Sequence, residues 1–341
     1  MQYRQLGRTG VQVSSLCLGC WMFGRRTAEA ESIGMINEAI ESGINFIDTA
    51  NVYSAGKSEE IVGKALAING RREKIILATK VHGTMDESDP NASGNHRRHI
   101  IQACEDSLRR LRTDHIDLYQ LHRPDAGIPL DETLRALDDL ITDGKVLYIG
   151  TSTFAAWQIV EGLWISKELG LNRFISEQPP YNLLDRRAER ELIPMARTFG
   201  LAILPWSPLA GGVLTGKYRR GAPAPIGARY DQSGITADLD KAEDRALLAD
   251  STFDVVDALV GLAESRDCSP GQLALAWLLN QPGVTSPIIG PRTQEQLNDN
   301  LAAVGVEVTD ADRARLDDAA TPGRATSPFY DADFGPHTFR W

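Results

Sequence analysis

Eight short runs rich in β-branched and aliphatic residues recur along the chain: Leu16–Cys20, Ile44–Ala50, Ile75–Val81, Ile116–His122, Val146–Ser152, Phe174–Gln178, Ala202–Ser207 and Ser286–Gly290. Most are continuously apolar rather than alternating, as strands covered on both faces are. Between them, apolar residues return every three or four positions. Ile33, Ile36 and Ile40 form one stripe; Ile100, Cys104, Leu108 and Leu111 a second; Leu130, Leu134, Leu137 and Ile141 a third; Phe253, Val256, Val260 and Ala263 a fourth. That spacing predicts helices burying one face. Ser269-Pro270-Gly271-Gln272 predicts a helix start with an N-cap, a first-turn proline and a capping-box glutamine, and Thr293-Gln294-Glu295-Gln296 predicts a second box. Gly43, Gly70, Gly144, Gly170 and Gly200 fall just past helix ends, where a left-handed C-cap costs glycine least.

Eight strand–helix alternations predict an α/β fold closed into a (β/α)8 TIM barrel. A doubly wound sheet would carry fewer strands and a glycine fingerprint in its first turn. Residues 3–13 read as a hairpin around Gly7-Arg8-Thr9-Gly10, placed to plug the barrel floor, and Thr309–Ala320 as an extra outer helix. Residues 1–341 thus form a single barrel domain with a C-terminal tail over 322–341. The tail's Phe329, Tyr330, Phe334, Phe339 and Trp341 could close over the site or meet a second subunit. Residues 211–230, rich in Gly, Pro, Arg and Lys, make a long loop after the seventh barrel strand. A loop of that length is more often functional than a spacer.

Charge narrows the classes of partner. Lys and Arg total 36 against 46 Asp and Glu, a net charge of −10, the opposite sign from a general nucleic-acid or anionic-membrane binder. The longest apolar run, Leu273–Leu279, is far short of the ~20 residues of a membrane span. The opening Met1-Gln2-Tyr3-Arg4-Gln5-Leu6-Gly7-Arg8 lacks the apolar stretch of a secretory signal. The expectation is a cytoplasmic protein acting on a small molecule, without nucleic-acid or membrane partners; a homo-oligomer is compatible with this. Cys17 and Cys20 form a C-x-x-C, but a zinc site needs two more soft ligands at close spacing, and Cys104 and Cys268 stand alone. Residues three apart on a strand face opposite ways, so the pair reads as two small buried hydrophobes.

Reactive groups in such barrels sit at the C-terminal ends of strands. Those ends carry Asp48, with Tyr53 five residues on, then Lys80 and His122. Singly, each has a plain reading: helix cap, rim aromatic, solvated strand end, core histidine. A carboxylate, phenol, ammonium and imidazole on adjacent strand ends together predict one catalytic mouth.

Gly43-Ile44-Asn45-Phe46-Ile47-Asp48-Thr49-Ala50-Asn51-Val52-Tyr53, followed by Ser58-Glu59-Glu60-Ile61-Val62-Gly63, resembles the signature of the aldo-keto reductase family. Ala78-Thr79-Lys80, Ile116-Asp117-Leu118-Tyr119-Gln120-Leu121-His122, Glu177-Gln178-Pro179-Pro180-Tyr181-Asn182, Pro205-Trp206-Ser207-Pro208-Leu209-Ala210-Gly211-Gly212 and Gly290-Pro291-Arg292-Thr293-Gln294-Glu295-Gln296-Leu297 extend the match in order from about residue 3 to residue 304. The resemblance implies carbonyl reduction by NADP(H), with Tyr53 as general acid, Lys80 lowering the phenol's pKa, Asp48 fixing Lys80, and His122 orienting the carbonyl oxygen. It also implies a cofactor site. Ser152, Thr153 and Gln178 would hold the nicotinamide carboxamide, with Trp21 and Trp206 beside the ring. Ser207, Pro208, Leu209, Gly211 and Lys217 would line the pyrophosphate. Arg229, Gly290, Arg292, Gln296, Asp299 and Asn300 would grip the adenosine end, with the 211–230 loop covering the cofactor. Thr153 departs from the Asn that the family often places there. Trp21, Met22, Phe23, Tyr53 and Tyr181 are expected to frame an aromatic substrate pocket.

Other readings compete. Tyr53-Ser54-Ala55-Gly56-Lys57 spells the Y-x-x-x-K of short-chain dehydrogenases, and Gly211–Tyr218 nearly matches a phosphate loop, with Tyr218 where the magnesium-binding Ser or Thr belongs. His96-Arg97-Arg98-His99 reads as a solvated helix face rather than a metal site, and no metal is expected. A cofactor-binding regulatory subunit or redox sensor on the same fold is the second functional reading. The resemblance extends to potassium channel β-subunits around Ala55-Gly56-Lys57, though His122 stands where those carry Asn. A Schiff-base lyase using Lys80 is the third.

Overall fold

The computed structural model describes residues 1–231 and 248–326. The aromatic residues of the tail lie outside them. Eight parallel strands curl around one axis: β3 (Cys17–Gly19), β4 (Phe46–Asp48), β5 (Ile76–Val81), β6 (Ile116–Leu121), β7 (Val146–Ser152), β8 (Phe174–Gln178), β9 (Ala202–Ile203) and β10 (Ile288–Ile289). β10 pairs with β3, and a parallel bridge between Ile203 and Val284, with Ile288 N–H donating to Pro205 O at 2.8 Å, joins the last two strands. The predicted (β/α)8 barrel is the observed fold.

Helices alternate with the strands: α1 (Glu29–Glu41), α2 (Lys57–Leu66), α3 (Arg97–Leu111), α4 (Leu130–Thr142), α5 (Ala156–Leu169), α6 (Leu192–Phe199), α7 (Asp250–Glu264), α8 (Pro270–Leu279) and α9 (Gln294–Ala302), with α10 (Asp310–Ala319) added outside. Their buried lines follow the predicted stripes with small rotations. In α1 the deepest residues are Ser32, Met35, Ile36 and Ala39, while Ile33 and Ile40 flank them. In α4, Leu130 and Ile141 flank Leu134, Leu137 and Leu140; in α7, Leu259 replaces Val260 at depth. Ser269 caps α8 in a reciprocal box with Gln272. Thr293 caps α9, but Gln296 reaches one residue further back, to the N–H of Arg292 at 2.8 Å, so the second predicted box is half formed.

Strands β1 (Tyr3–Gln5) and β2 (Gln12–Ser14) form the floor hairpin. Leu6 and Val13 from it join Cys17, Phe46, Ala78, Leu118, Ile175, Ala202, Leu204 and Ile288 in a core inside the barrel. Gly7 turns there with φ +59°, and a Cβ would lie 2.5 Å from Ile175 O, so only glycine fits. The larger core fills the layer between strands and helices and includes Cys20. Cys17 and Cys20 therefore face opposite sides, and burial first, then Asp48, raises both thiols well above their ordinary range. Among the described residues no helix is long and apolar enough to cross a membrane.

Candidate active site

β4 ends on Asp48, β5 delivers Lys80, and His122 follows β6 with its N–H on Val81 O at 2.8 Å. Lys80 is fully buried, and its Nζ donates to Asp48 Oδ1, to Thr49 O at 2.8 Å and to Tyr53 Oη at 3.3 Å. The ammonium also lies 4.9 Å from the centre of the Tyr53 ring, and the Tyr53 and His122 rings meet edge-on at 5.7 Å. All four predicted residues come together at one barrel mouth. Tyr53 reaches it through a left-handed turn, with φ of 52° at Ser54, 51° at Ala55 and 87° at Gly56. Such conformations cost a non-glycine residue roughly 1–2 kcal/mol each. Ser54 Oγ holds the turn by donating to Phe23 O at 2.9 Å.

Electrostatics refine the expectation for the phenol. Burial raises the Tyr53 pKa, and Lys80 offsets only part of that rise, so on balance the hydroxyl sits above its ordinary value rather than below. The expected acidification is thus a counterweight to desolvation. Burial would depress the Lys80 ammonium, but Asp48 and Tyr53 beside it carry it above its ordinary value. Burial, then the Lys80, Arg123 and His82 charges, push His122 well down, which leaves a neutral imidazole near neutrality. The mouth therefore holds a protonated phenol, an ammonium and a neutral imidazole.

Asp48 Oδ2 accepts from Gln120 Nε2 and from Gln178 Nε2, each at 3.0 Å. Gln120 was not singled out by sequence, although it lies two residues before His122 on one strand and so shares its side. Ser152 Oγ donates to Gln178 O at 3.0 Å, and Thr153 N–H donates to the same carbonyl at 3.2 Å. Thr153 has φ +64°, a conformation Asn tolerates better than a β-branched residue, and its hydroxyl accepts from Arg123 at 3.1 Å. Beneath this turn, the fully buried Glu177 accepts from Thr151 Oγ1 at 2.5 Å and from Phe154 N–H at 3.2 Å. Burial raises its carboxyl to about 8.

The loop after β9 turns tightly, with positive φ at Ser207, Ala210, Gly211 and Gly212, and Trp206 N–H bonds to Pro179 O at 2.9 Å. Pro208 and Leu209 lie in that turn, which continues over Ala210–Thr215 as short helical turns broken at Gly211 and Gly212. Arg229 stacks on Trp21 at 4.7 Å and Arg25 on the same ring at 5.0 Å. Arg292 Nη1 donates to Gly227 O at 2.6 Å. Lys217 is exposed, with its ammonium close to Gly212; partial desolvation, then Arg292 and Arg229, hold it below its ordinary value. Burial and then Arg292, Arg25 and Arg229 likewise lower Arg26. Arg25 and Arg26 thus join the three cations read from sequence; their signal was the basic pair just after Trp21.

Some expected residues turn elsewhere. Asp299 accepts from Ser269 Oγ at 3.1 Å and Gln272 Nε2 at 2.7 Å, tying α9 to the start of α8. Gln296 Oε1 is held by Arg292 N–H, Asn300 is buried on α9, and Gly290 is exposed after β10. Phe23 and Tyr181 are fully buried in the outer core, and Tyr181 donates to Glu189 at 2.6 Å and meets Trp277 edge-on. The expected aromatic frame therefore loses them, leaving Trp21, Met22 and Tyr53 partly exposed.

The decoys separate on context. Lys57 pairs with Glu60 at 2.9 Å and Glu29 at 3.5 Å, while Tyr53 pairs with Lys80. The turn around Gly211–Gly212 ends in a 3-10 stretch rather than opening an α-helix, as a phosphate loop requires. His96 caps α3 by accepting from His99 N–H at 3.3 Å, and His99 is buried against Gly94 O, which corrects the solvated-face reading. Among the described residues no group of three or more His, Cys, Asp or Glu could hold a metal.

A family model described as "Aldo/keto reductase family" matches residues 15–321. The chain is similar to an uncharacterized oxidoreductase, YrpG, of Bacillus subtilis (strain 168), at 41% identity over 90% of this chain and 92% of the relative. It is 38% identical to a probable voltage-gated potassium channel subunit beta of Oryza sativa subsp. japonica, over 90% of this chain and 92% of that one. A versiconal hemiacetal acetate reductase of Aspergillus parasiticus is 35% identical over 94% of this chain and 98% of its own length.

Proposed function

The chain belongs to the aldo/keto reductase family, and on that premise we propose that it is an NADPH-dependent reductase converting an aldehyde or ketone to an alcohol, with Tyr53 as proton donor. The observation that carries the proposal is the Tyr53 hydroxyl 3.3 Å from a buried ammonium and edge-on to a neutral imidazole at one barrel mouth. Bound NADPH would supply the hydride. Negative charge then builds on the carbonyl oxygen and needs hydrogen-bond donors and a proton. His122, neutral, donates an N–H to that oxygen and fixes its position. Tyr53 is protonated at rest because burial raises its pKa, and it gives its proton to the oxygen as charge develops. Lys80 stabilises the phenolate left behind, and Asp48 keeps Lys80 in place.

The residues fit the cofactor. On a chain of net charge −10, Arg25, Arg26, Lys217, Arg229 and Arg292 gather at one edge of the mouth, a match for a pyrophosphate and a 2′-phosphate. Arg292 presents a planar fork suited to phosphate, which favours NADPH over NADH. Ser152, Thr153 and Gln178, bonded to one another at the ends of β7 and β8, would read the carboxamide, and Trp206 would stack on the ring. Asp299, tied to α8, acts through the position of α9. Residues 211–230 would cover the cofactor, in a single catalytic domain working in the cytoplasm.

The test is NADPH consumption with a panel of aldehydes, ketones, sugars and quinones. Turnover with any of them supports a reductase. Tight NADPH binding without turnover would instead favour a regulatory, cofactor-sensing subunit, the reading that the plant relative's name suggests. A Schiff-base lyase is disfavoured because Asp48 and Tyr53 keep the Lys80 amine protonated and poorly nucleophilic.

A further inference from the structure

Gln120 lies wholly inside the barrel on β6, paired in register with Lys80 on β5 and with Gly150 on β7. Its Nε2 donates to Asp48 Oδ2 at 3.0 Å, and its Oε1 accepts from Gln178 Nε2 at 3.2 Å. Gln178 Nε2 donates in turn to the same Asp48 oxygen at 3.0 Å. β4, β6 and β8 thus supply one polar layer, above the apolar cluster inside the barrel to which Phe46 and Leu118 of β4 and β6 belong. Gly150 on the intervening β7 leaves the room: a Cβ there would lie 2.3 Å from Ser176 Oγ and 3.4 Å from Gln120 Cγ.

Resting on the reductase reading, we propose that Gln120 is a positioning residue whose amide ties the Asp48–Lys80–Tyr53 chain to Gln178, the residue on the nicotinamide side. Asp48 has two oxygens with separate partners: Oδ1 takes the ammonium, and Oδ2 takes the two amides. Donors on Oδ2 hold part of the carboxylate's charge toward the barrel axis, away from Lys80. More of the ammonium's field is then left for the phenol. Without the Gln120 donor, a buried oxygen loses a partner and the ion pair closes on itself. Asp48 then opposes Lys80 at Tyr53 more strongly. The charged and titratable groups bearing on Tyr53 are Lys80 from β5, Asp48 from β4, and Arg123 and His122 after β6; the buried thiols Cys17 and Cys20, on the β3 side, feel the Asp48 charge.

The experiment is an NMR titration of cofactor-free protein carrying 13C-labelled tyrosine, with the Tyr53 resonance assigned by its absence in Tyr53→Phe. The titration is repeated for Gln120→Met, which keeps the volume, and for Gln120→Asn, which withdraws the amide by one methylene should the first variant fail to fold. The expected result is a Tyr53 midpoint raised by about one pH unit, with the alkaline limb of the reduction profile displaced the same way. A role confined to packing would lower thermal stability and leave the midpoint alone, which overturns the proposal. Where burial keeps the wild-type resonance from moving below the pH of unfolding, the alkaline limb of the reduction profile is read in its place, and a limb unmoved in both Gln120 variants overturns the proposal. Full turnover in Tyr53→Phe would fell the reductase reading itself. An inactive Tyr53→Phe with an unmoved midpoint in the Gln120 variants would fell only the tie.

Discussion

The strand ends of β4, β5 and β6 hold an ion pair with almost no exposure, whereas the loops after β3, β9 and β10 gather five cations near the surface. On the first side, Asp48 and Lys80 are fixed by barrel strands, and Tyr53 by a turn that Ser54 pins to Phe23. On the second, position comes from tight turns and from guanidiniums stacked on Trp21. The contrast teaches where each kind of chemistry can be placed. The groups that align a proton donor must be held firmly and shielded from water, so the ion pair beside Tyr53 sits on strands. A polyanion can be met by several exposed cations whose errors average out, so it sits on loops.

The largest difference should appear on removing one charge from each side. Asp48→Asn leaves Lys80 buried with a neutral partner, and breaking a buried pair in this way costs about 3–5 kcal/mol. Lys217→Met relieves crowding among like charges and should change stability by less than about 0.5 kcal/mol. Denaturant unfolding of the two variants checks this. Equal losses would erase the distinction between the two sides.

Glu177 sharpens the contrast through pH. The folded chain holds its proton up to about 8, while the ordinary value is 4.5. Its neutral form therefore contributes stability that is complete below the ordinary value and is lost as pH rises through about 8. Glu177→Gln keeps an acceptor for Phe154 and removes the titration. Its unfolding free energy should match wild type in mild acid and exceed it in alkali, with a gap of roughly 2–5 kcal/mol. A gap that is the same at every pH would contradict the assignment.

A smaller effect is expected at the phosphate edge. Arg292→Ala should weaken NADPH binding by roughly 10-fold, leave NADH binding nearly unchanged, and make the NADPH loss shrink at high salt. Fluorescence titration with both nucleotides reads all three. Equal loss for both nucleotides would move Arg292 from the 2′-phosphate to the shared pyrophosphate.

Much of this was legible in the chain. The barrel, its floor hairpin and the outer helix follow from periodicity and caps, and the residues at three adjacent strand ends follow from the barrel. What stayed hidden depended on directions and desolvation that spacing does not encode. Tyr181 sits in a motif beside Gln178, yet its ring turns outward onto Trp277. Asp299 shares a helix with Gln296 but bonds across to Ser269. The sign of Lys80's effect on Tyr53 was readable; that burial outweighs it was not, because the depth of a site is set by everything packed around it. Gln120 was readable in principle, since a strand period of two places it with His122.

The central claim is that Tyr53 delivers the proton while other residues hold the cofactor. Single-turnover reduction by NADPH-loaded Tyr53→Phe, beside a fluorescence measurement of NADPH affinity, tests it most directly. The account predicts a rate lower by roughly 10²–10⁴-fold with affinity changed by less than about threefold. A rate within a few-fold of wild type, with the cofactor equally well bound, would contradict it.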